Sequence, residues 1–325
     1  MNIILLFVLC VGITSAKPMI QYLLRNAPDH FEDFIKTYNK EYDETEKAIR
    51  YGIFVKNLEN INILNQKSND TTFDINKFSD LSTEEFIQRY TGYRHSNVSN
   101  YCINSDQLDL KPVDVPEEFD WRQKGVVTRV KNQMCNSCWA FSATGTVESA
   151  YAIKTRQQVV LAEQQLIDCD KQSDGCNGGY PIKALKYFQD NGAMTEDDYP
   201  YEAKNGQCRF NSQKVKAKVK NCVLVQGNED GFVEKLLQIG PLSIALDAEP
   251  VQHYKGGIMK TDCQGTKVNH AVLLVGYGKG EDGTPYWLIK NSWGADWGEK
   301  GYFRIHRGVN CVLVADTTPA GVVIE

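Results

Sequence analysis

The run Asn132-Gln133-Met134-Cys135-Asn136-Ser137-Cys138-Trp139-Ala140-Phe141-Ser142 holds the densest chemistry in the chain. Its Cys-x-x-Cys pair admits three readings. One is a redox dithiol, but such pairs usually carry Trp before the first Cys, in a βαβ chain of about 100 residues. Here Trp139 follows the second Cys and the βαβ texture is missing. Another is half of a zinc site, but no second Cys-x-x-Cys or His pair completes four ligands. The third reading separates the two: Cys135 is a disulfide partner, and Cys138 is a nucleophile at the N-terminus of a helix over 138–152. A thiolate there is favoured by the helix dipole and free N–H groups, and a nearby imidazole can hold it as an ion pair. A backbone N–H at the same helix start can also face a developing oxyanion. A buried, inert cysteine would leave both Cys135 and the Trp-Ala-Phe start of the helix unexplained.

A nucleophile needs a base, and the chain has five histidines: His30, His95, His253, His270 and His306. His253 falls in a polar, loop-like stretch, and His306 ends a strand beside Arg307. His270 directly precedes the apolar run Ala271 to Gly276, where a polar residue at the mouth of a buried strand is well fixed. A satisfied structural histidine fits that position equally. Asn291 follows the strand 286–290 and precedes Ser292-Trp293-Gly294; its amide oxygen could orient an imidazole, and Trp293 could shield that bond from water. A turn-forming Asn is the plain alternative.

The elements that must position these groups change character along the chain. Ile3 to Ile13 is an apolar run too short for the roughly 20 residues a membrane span needs. Thr14-Ser15-Ala16 follows, so residues 1–16 read as a secretory signal peptide. That implies an oxidising compartment for the rest. Residues 29–66 read as two helices, and 91–114 as a linker open to proteolytic nicking. Asn69 and Asn97 stand in glycosylation sequons. Helices are expected at 138–152 and 180–191. Strands are expected at 214–220, where alternating lysines mark a solvated face, and at 242–246, 271–277, 286–290 and 301–306. Helices first and strands afterwards imply an α+β fold with two subdomains. The chain has 325 residues, 42% hydrophobic and 24% charged, and a formal net charge of -5. These values suit a soluble globular protein and argue against nucleic acid as the main partner.

Taken together, these residues resemble the papain-like cysteine proteases. The segments that carry the resemblance are Gln133 to Ser142, Val268-Asn269-His270-Ala271-Val272, Asn291 to Gly298 with Gly301-Tyr302, and Gly175 to Pro181. Val115-Pro116 with Asp120-Trp121-Arg122 looks like the family's mature N-terminus. Glu46, Arg50, Phe54, Asn57, Ile61 and Asn65 fall at steps of 4, 4, 3, 4 and 4 on one helix face and match its prosegment motif. Asn76-Lys77-Phe78-Ser79-Asp80 resembles a second one. Within the family, the run from Val268 to Gly278 and the prosegment most resemble the viral cathepsins of insect baculoviruses.

The resemblance implies a signal peptide at 1–16, an inhibitory prosegment at 17–112, a mainly helical half at 113–222 and a β-rich half at 223–325. It implies Cys138 as nucleophile, His270 as acid/base, Asn291 as orienter and Gln133 as oxyanion donor. Gly178, Gly179, Tyr180 and Pro181 would bind an extended peptide, together with Ala245, Asn269 and Trp293. The implied disulfides are Cys135–Cys176, Cys169–Cys208 and Cys263–Cys311. Cys102 would leave with the prosegment and Cys222 would stay single. No metal or other cofactor is implied. The implied partners are protein or peptide substrates and the chain's own prosegment, with no nucleic acid and no membrane insertion, and the enzyme a monomer. The implied setting is the secretory pathway: an extracellular or lysosome-like compartment, or a proenzyme held in the endoplasmic reticulum of infected cells.

The chain departs from the family pattern in three places. Gln133 lies five residues before Cys138 rather than six, which puts Asn132 at the sixth; Gln133 is preferred. Asn136 replaces a usual Gly and could demand an unusual backbone. Asp316 falls where the S2 pocket closes, so its carboxylate could pair with an arginine at P2 of a substrate. Two rival functions remain, a non-catalytic binding protein on the protease scaffold and a Cys135/Cys138 oxidoreductase.

Overall fold

A computed structural model describes residues 20–95, 101–261 and 263–325. The expected signal peptide and the Asn97 sequon lie outside the described residues.

Helix α1 (Ala27–Thr37) packs its Phe31 and Phe34 against Phe54 and Leu58 of α2 (Glu44–Lys67). Asp43 caps α2 by accepting from the Glu46 N–H. The stripe from Glu46 to Asn65 holds the rest of this N-terminal region in place. Arg50 pairs with Glu46 and Glu85, and its guanidinium donates to the Asp80 carbonyl. Asn57 donates to the carbonyls of Ser79 and Leu81, and Asn65 to that of Phe73. The Asp80 carboxylate in turn accepts from Lys40 at 2.9 Å and from the Tyr42 hydroxyl at 2.7 Å. A polar stripe on a helix is thus spent on satisfying loop carbonyls that would otherwise be buried without partners. Strand β1 (Thr71–Phe73) and helix α3 (Thr83–Tyr90) follow, α3 opening with a Ser82–Glu85 capping box.

Past this region come two short strands, β2 (Ile103–Asn104) and β3 (Phe119–Asp120), and the central helix α4 (Cys138–Thr155). Fourteen residues of α4, from Cys138 to Ala152, are buried. A helix apolar or small all round must run through a core. Helices α5 (Glu163–Cys169) and α6 (Pro181–Asn191) pack beside it. The alternating lysine stretch is not one strand. After β4 (Ala193–Met194) it divides into β5 (Val215–Ala217), which pairs with β4, and β6 (Val219–Leu224), which joins a different sheet.

Helix α7 (Glu229–Ile239) leads into the strands β7 (Leu242–Leu246), β8 (Tyr254–Met259), β9 (His270–Lys279), β10 (Pro285–Lys290), β11 (Tyr302–His306) and β12 (Ala320–Ile324). The sheet order is β1-β8-β11-β10-β9-β7-β12-β6-β2, with β3 on β9. The expected division at 222/223 falls inside β6, so the two halves share one sheet. Both ends of that sheet are closed by strands from before residue 113. Strand β1 lies antiparallel on β8, and β2 lies parallel on β6. The largest core cluster likewise mixes Ile61, Phe73, Phe78 and Phe86 with Trp287, Trp293 and Trp297. The fold is α+β, with a helical layer around α4 and a twisted sheet behind the residues that follow it.

Candidate active site

Ser137 precedes α4, so Cys138 occupies its first turn, where N–H groups have no helical partner. Strand β9 crosses directly beneath. Its Ala271 N–H donates to Cys138 Sγ at 3.4 Å, which brings His270 to the same spot. The His270 Nε2 lies 2.9 Å from Asn291 Oδ1. Asn291 directly follows β10, the neighbour of β9, and the same Oδ1 accepts the Ser292 N–H at 2.8 Å. The Trp293 ring stacks on the imidazole with centroids 4.6 Å apart, and Trp293 is wholly buried. The ring therefore covers the His270–Asn291 bond. The other imidazole nitrogen, Nδ1, is buried and has no hydrogen-bond partner.

Gln133 also reaches this cluster. It is fully buried; its Oε1 accepts the Ser292 hydroxyl at 2.6 Å, and its Nε2 donates to the Tyr90 and Cys135 carbonyls. Asn132 is exposed, and its Oδ1 faces Lys77 at 3.4 Å. Of these two neighbours, the buried one, bonded to the Ser292 hydroxyl and the Cys135 carbonyl, is Gln133. Asn136 keeps an ordinary negative φ, contrary to the unusual backbone its replacement of Gly suggested. Its side chain instead donates to the Gln88 carbonyl.

Four disulfides are present among the described residues: Cys135–Cys176, Cys169–Cys208, Cys263–Cys311 and Cys102–Cys222. Cys135 is thereby removed from any dithiol with Cys138, the one free cysteine among the described residues. The fourth bond corrects the expectation that Cys222 is single. The sequence separation of 120 between Cys102 and Cys222 hides the pairing from any local reading.

A buried charge cluster, which sequence reasoning missed, stands behind the site. The Lys131 ammonium donates to Glu148 at 2.8 Å and to Glu163 at 2.6 Å, and Lys290 reaches Thr128 at 3.1 Å. Lys131 lies two residues before Gln133, and Lys290 directly precedes Asn291. The cluster thus pins both segments that carry site residues. Burial without a close carboxylate pushes Lys290 down to about 8. Breaking such a buried pair from one side is strongly destabilising.

The cleft is filled by the chain itself. The N–H groups of Gly92 and Tyr93 donate to the Asn269 carbonyl, and the Arg94 N–H donates to the Gly179 carbonyl. The Gly179 N–H returns a bond to the Gly92 carbonyl, and Tyr93 forms a parallel bridge with Gly179. Gly179 lies flat on Trp139: a Cβ there would come within 2.5 Å of the indole. Gly178 is buried beside it, and Arg94 pairs with Asp174. Tyr180 precedes α6, which Pro181 begins. Ala245 is buried and pairs with Ala271, next to His270. Asp316 is exposed and accepts from Asn310 at 2.7 Å. Phe78 and Phe86 meet the edge of Trp293, whose indole N–H donates to the Tyr90 carbonyl.

This cover reverses the electrostatics expected at a helix N-terminus. Burial pushes the Cys138 thiol up to about 12, against the N–H groups of Ala271, Trp139 and Tyr93, which favour the thiolate. Burial likewise pushes His270 down to about 4, with the Asn291 bond opposing. In the covered state the pair is neutral, because desolvation disfavours both charged forms.

Residues 115–320 match the papain family of cysteine proteases, and residues 31–86 match the cathepsin propeptide inhibitor domain (I29). The chain belongs to the papain family of cysteine proteases. It is a proenzyme of that family, with its propeptide inhibitor domain in the same chain. It is 45% identical to the viral cathepsin of Choristoneura fumiferana nuclear polyhedrosis virus, over 98% of each chain. It is 44% identical to that of Autographa californica nuclear polyhedrosis virus, over 95% of each. Among solved structures it resembles digestive procathepsin L2 proteinase from the larval midgut of Tenebrio molitor. The TM-score is 0.84 and the identity 35%, over 91% of this chain and 99% of that one. A recombinant stem bromelain precursor superposes with TM-score 0.83 at 37% identity, over 92% and 99%. The propeptide match, and the Gly92 to Arg94 segment across the cleft a few residues after it, thus lie on the same chain as the protease. No described helix is long and apolar enough to cross a membrane.

Proposed function

We propose that this protease is a secreted or lysosome-like endopeptidase zymogen that works through Cys138, His270 and Asn291. The Cys138 thiolate attacks a peptide carbonyl, and its carbon–sulfur bond forms as the carbonyl oxygen takes the negative charge. That oxygen is held by the Cys138 N–H and the Gln133 Nε2. His270 gives its proton to the leaving amine as the C–N bond breaks, then draws a proton from the water that hydrolyses the acyl-enzyme. Asn291 fixes the imidazole, and Trp293 keeps water from that bond. Gly178, Gly179, Tyr180, Pro181, Ala245 and Asn269 form the walls that hold an extended peptide, with Asp316 near the P2 side chain. Residues 17–112 are the inhibitory prosegment. By similarity to the viral cathepsins, the physiological task is breakdown of host tissue, with a monomeric enzyme acting in the secretory route or outside the cell. Asn69, exposed at a turn, and Asn97 are the glycan acceptors.

One observation carries this reading. The free cysteine accepts from the strand that begins with the Asn-bound imidazole, Gln133 accepts the Ser292 hydroxyl next to Asn291, and a segment of the same chain bonds the main chain of Gly179 and Asn269. The test is acid treatment of the purified proenzyme followed by assay on a dipeptidyl fluorogenic substrate. Activity that appears as the prosegment is lost is the expected result. A processed, folded enzyme with no turnover would favour the non-catalytic scaffold instead.

A further inference from the structure

The two prosegment strands that close the sheet are held differently. Strand β1 sits on β8 by non-covalent contacts alone: backbone pairing at Thr71, Thr72 and Phe73, with the Thr71 hydroxyl donating to the Ile258 carbonyl at 3.0 Å. Strand β2 is also bonded covalently: Cys102 is linked to Cys222, and the next residues pair in register, Ile103 with Val223 and Asn104 with Leu224. The docking continues along the chain. Asn104 Oδ1 accepts from Gln226, Ser105 is 1% exposed, and the Lys111 carbonyl accepts from Gln238 at 2.9 Å. Without β2, the edge of β6 would present unpaired N–H and C=O groups. The cleft-filling residues Gly92 to Arg94 lie on the N-terminal side of this anchor.

We propose that the Cys102–Cys222 bond keeps residues 101–107 on the enzyme through activation, so that a cut at 110–114 alone does not free the cleft. This rests on the reading of residues 17–112 as an inhibitory prosegment. After such a cut the inhibitor remains joined to β6 through Cys102. A short tether holds a ligand at an effective concentration on the order of mM. At nanomolar enzyme that is about a million-fold above the free concentration, and dilution does not clear it. Release takes either a second cut on the N-terminal side of Cys102 or reduction of the bond by a dithiol. In the reduction, the dithiol loses two electrons and closes to a disulfide, while Cys102 and Cys222 each become a thiol. A cut before Cys102 leaves residues 102–107 as the first strand of the active enzyme.

The test uses full-length proenzyme carrying a recognition sequence for a site-specific protease after Pro112. It is compared with the same protein carrying Cys102→Ser and Cys222→Ser. Both are cut, diluted to nanomolar concentration without reductant, and assayed on the dipeptidyl substrate; intact mass is read without reduction. We expect the two pieces of the parent protein to stay joined, and its activity to remain at least tenfold below that of the double variant until a dithiol is added. Two pieces that separate without reductant, with Cys222 recovered as a free thiol, would overturn the proposal. So would equal recovery of activity by both proteins on dilution. Joined pieces with no activity in either protein would uphold the bond and overturn the protease reading instead.

Discussion

The catalytic cluster and the segment that covers it are built from different materials. Cys138, His270, Asn291 and Gln133 are proposed to act through side chains, the first three placed by a helix start, a strand start and the residue just past a strand end. Gly92 to Arg94 fill the same cleft mainly through main-chain bonds to Asn269 and Gly179. Side-chain chemistry requires particular residue types and is therefore written in the sequence. Main-chain pairing accepts nearly any residue, and only glycine marks where it is tight. The cysteine and histidine beneath the cover are buried, and burial favours the neutral form of both.

The largest effect that sharpens this contrast is at Gln133. Removing one oxyanion donor typically lowers kcat by about 100- to 1,000-fold. Gln133→Ala should do so with KM little changed, while Asn132→Ala should stay near the parent enzyme. The comparison of kcat for the two variants checks which neighbour serves the site. Equal losses would mean that the shortened loop has exchanged their roles.

Next comes the seam between cover and enzyme. His253 is buried with both ring nitrogens unpartnered, and burial pushes it down to about 4. Its carbonyl accepts the Asp74 N–H. Its ring lines a cavity of about 270 Å³ shared with Asn60, Leu64 and Thr83 of the prosegment and with Asp247 and Glu249. A base whose pKa is depressed in the closed state takes its proton first in the open state. Closure therefore weakens as pH falls from about 6.5, the ordinary value, to about 4, and is insensitive to this group above that window. Full exposure of the ring on opening would make that shift about 3 kcal/mol, or roughly 300-fold in the opening equilibrium. Activation rate measured against pH should be flatter between about 6.5 and 4 for His253→Phe than for the parent. An unchanged profile would place the acid response elsewhere, for instance at Glu85, whose carboxyl Arg50 holds below its usual range.

A smaller effect is expected at the cover itself. Gly92 has φ +126°, and a Cβ there would come within 2.3 Å of the Asn136 carbonyl oxygen. Strain of this kind amounts to about 1–3 kcal/mol. Gly92→Ala should weaken inhibition by the isolated prosegment by about tenfold or more, read as its inhibition constant on mature enzyme. The same substitution leaves catalysis by the mature enzyme untouched if the cover and the cluster are separable. The smallest effect belongs to Asp316. Its carboxylate is exposed, and exposed ion pairs are worth about 0–1 kcal/mol. Asp316→Ala should lower the ratio of kcat/KM for P2-Arg over P2-Phe substrates by only a few-fold. An unchanged ratio would remove Asp316 from the P2 site.

The same contrast explains what the sequence made legible. Helix α4 and strand β9 were readable because small residues and an unbroken apolar run announce buried elements. Cys138 and His270 could then be placed at their starts, and Asn291 just past β10. Helix α3 was missed although Ser82 and Glu85 spell a capping box; it lay beside a stretch read as linker. The lysine alternation of 214–220 correctly marked faces but not partners, and so concealed the change of sheet between β5 and β6. The charge cluster of Lys131, Glu148, Glu163 and Lys290 and the Cys102–Cys222 bond join residues far apart in sequence. No local pattern announces such contacts. The helix-start argument for a lowered thiol pKa was sound physics for an open cleft, and the covered proenzyme inverts it.

The most direct measurement is site-specific labelling with an epoxide inhibitor of cysteine proteases. Proenzyme is incubated with it before and after acid processing, and the modified residue is located by peptide mass spectrometry. The expected result is one label, on Cys138, absent from the covered proenzyme and stoichiometric once the prosegment has left the cleft. Full labelling of Cys138 in the intact proenzyme, or none after processing, would contradict a cluster that its own prosegment holds neutral and closed.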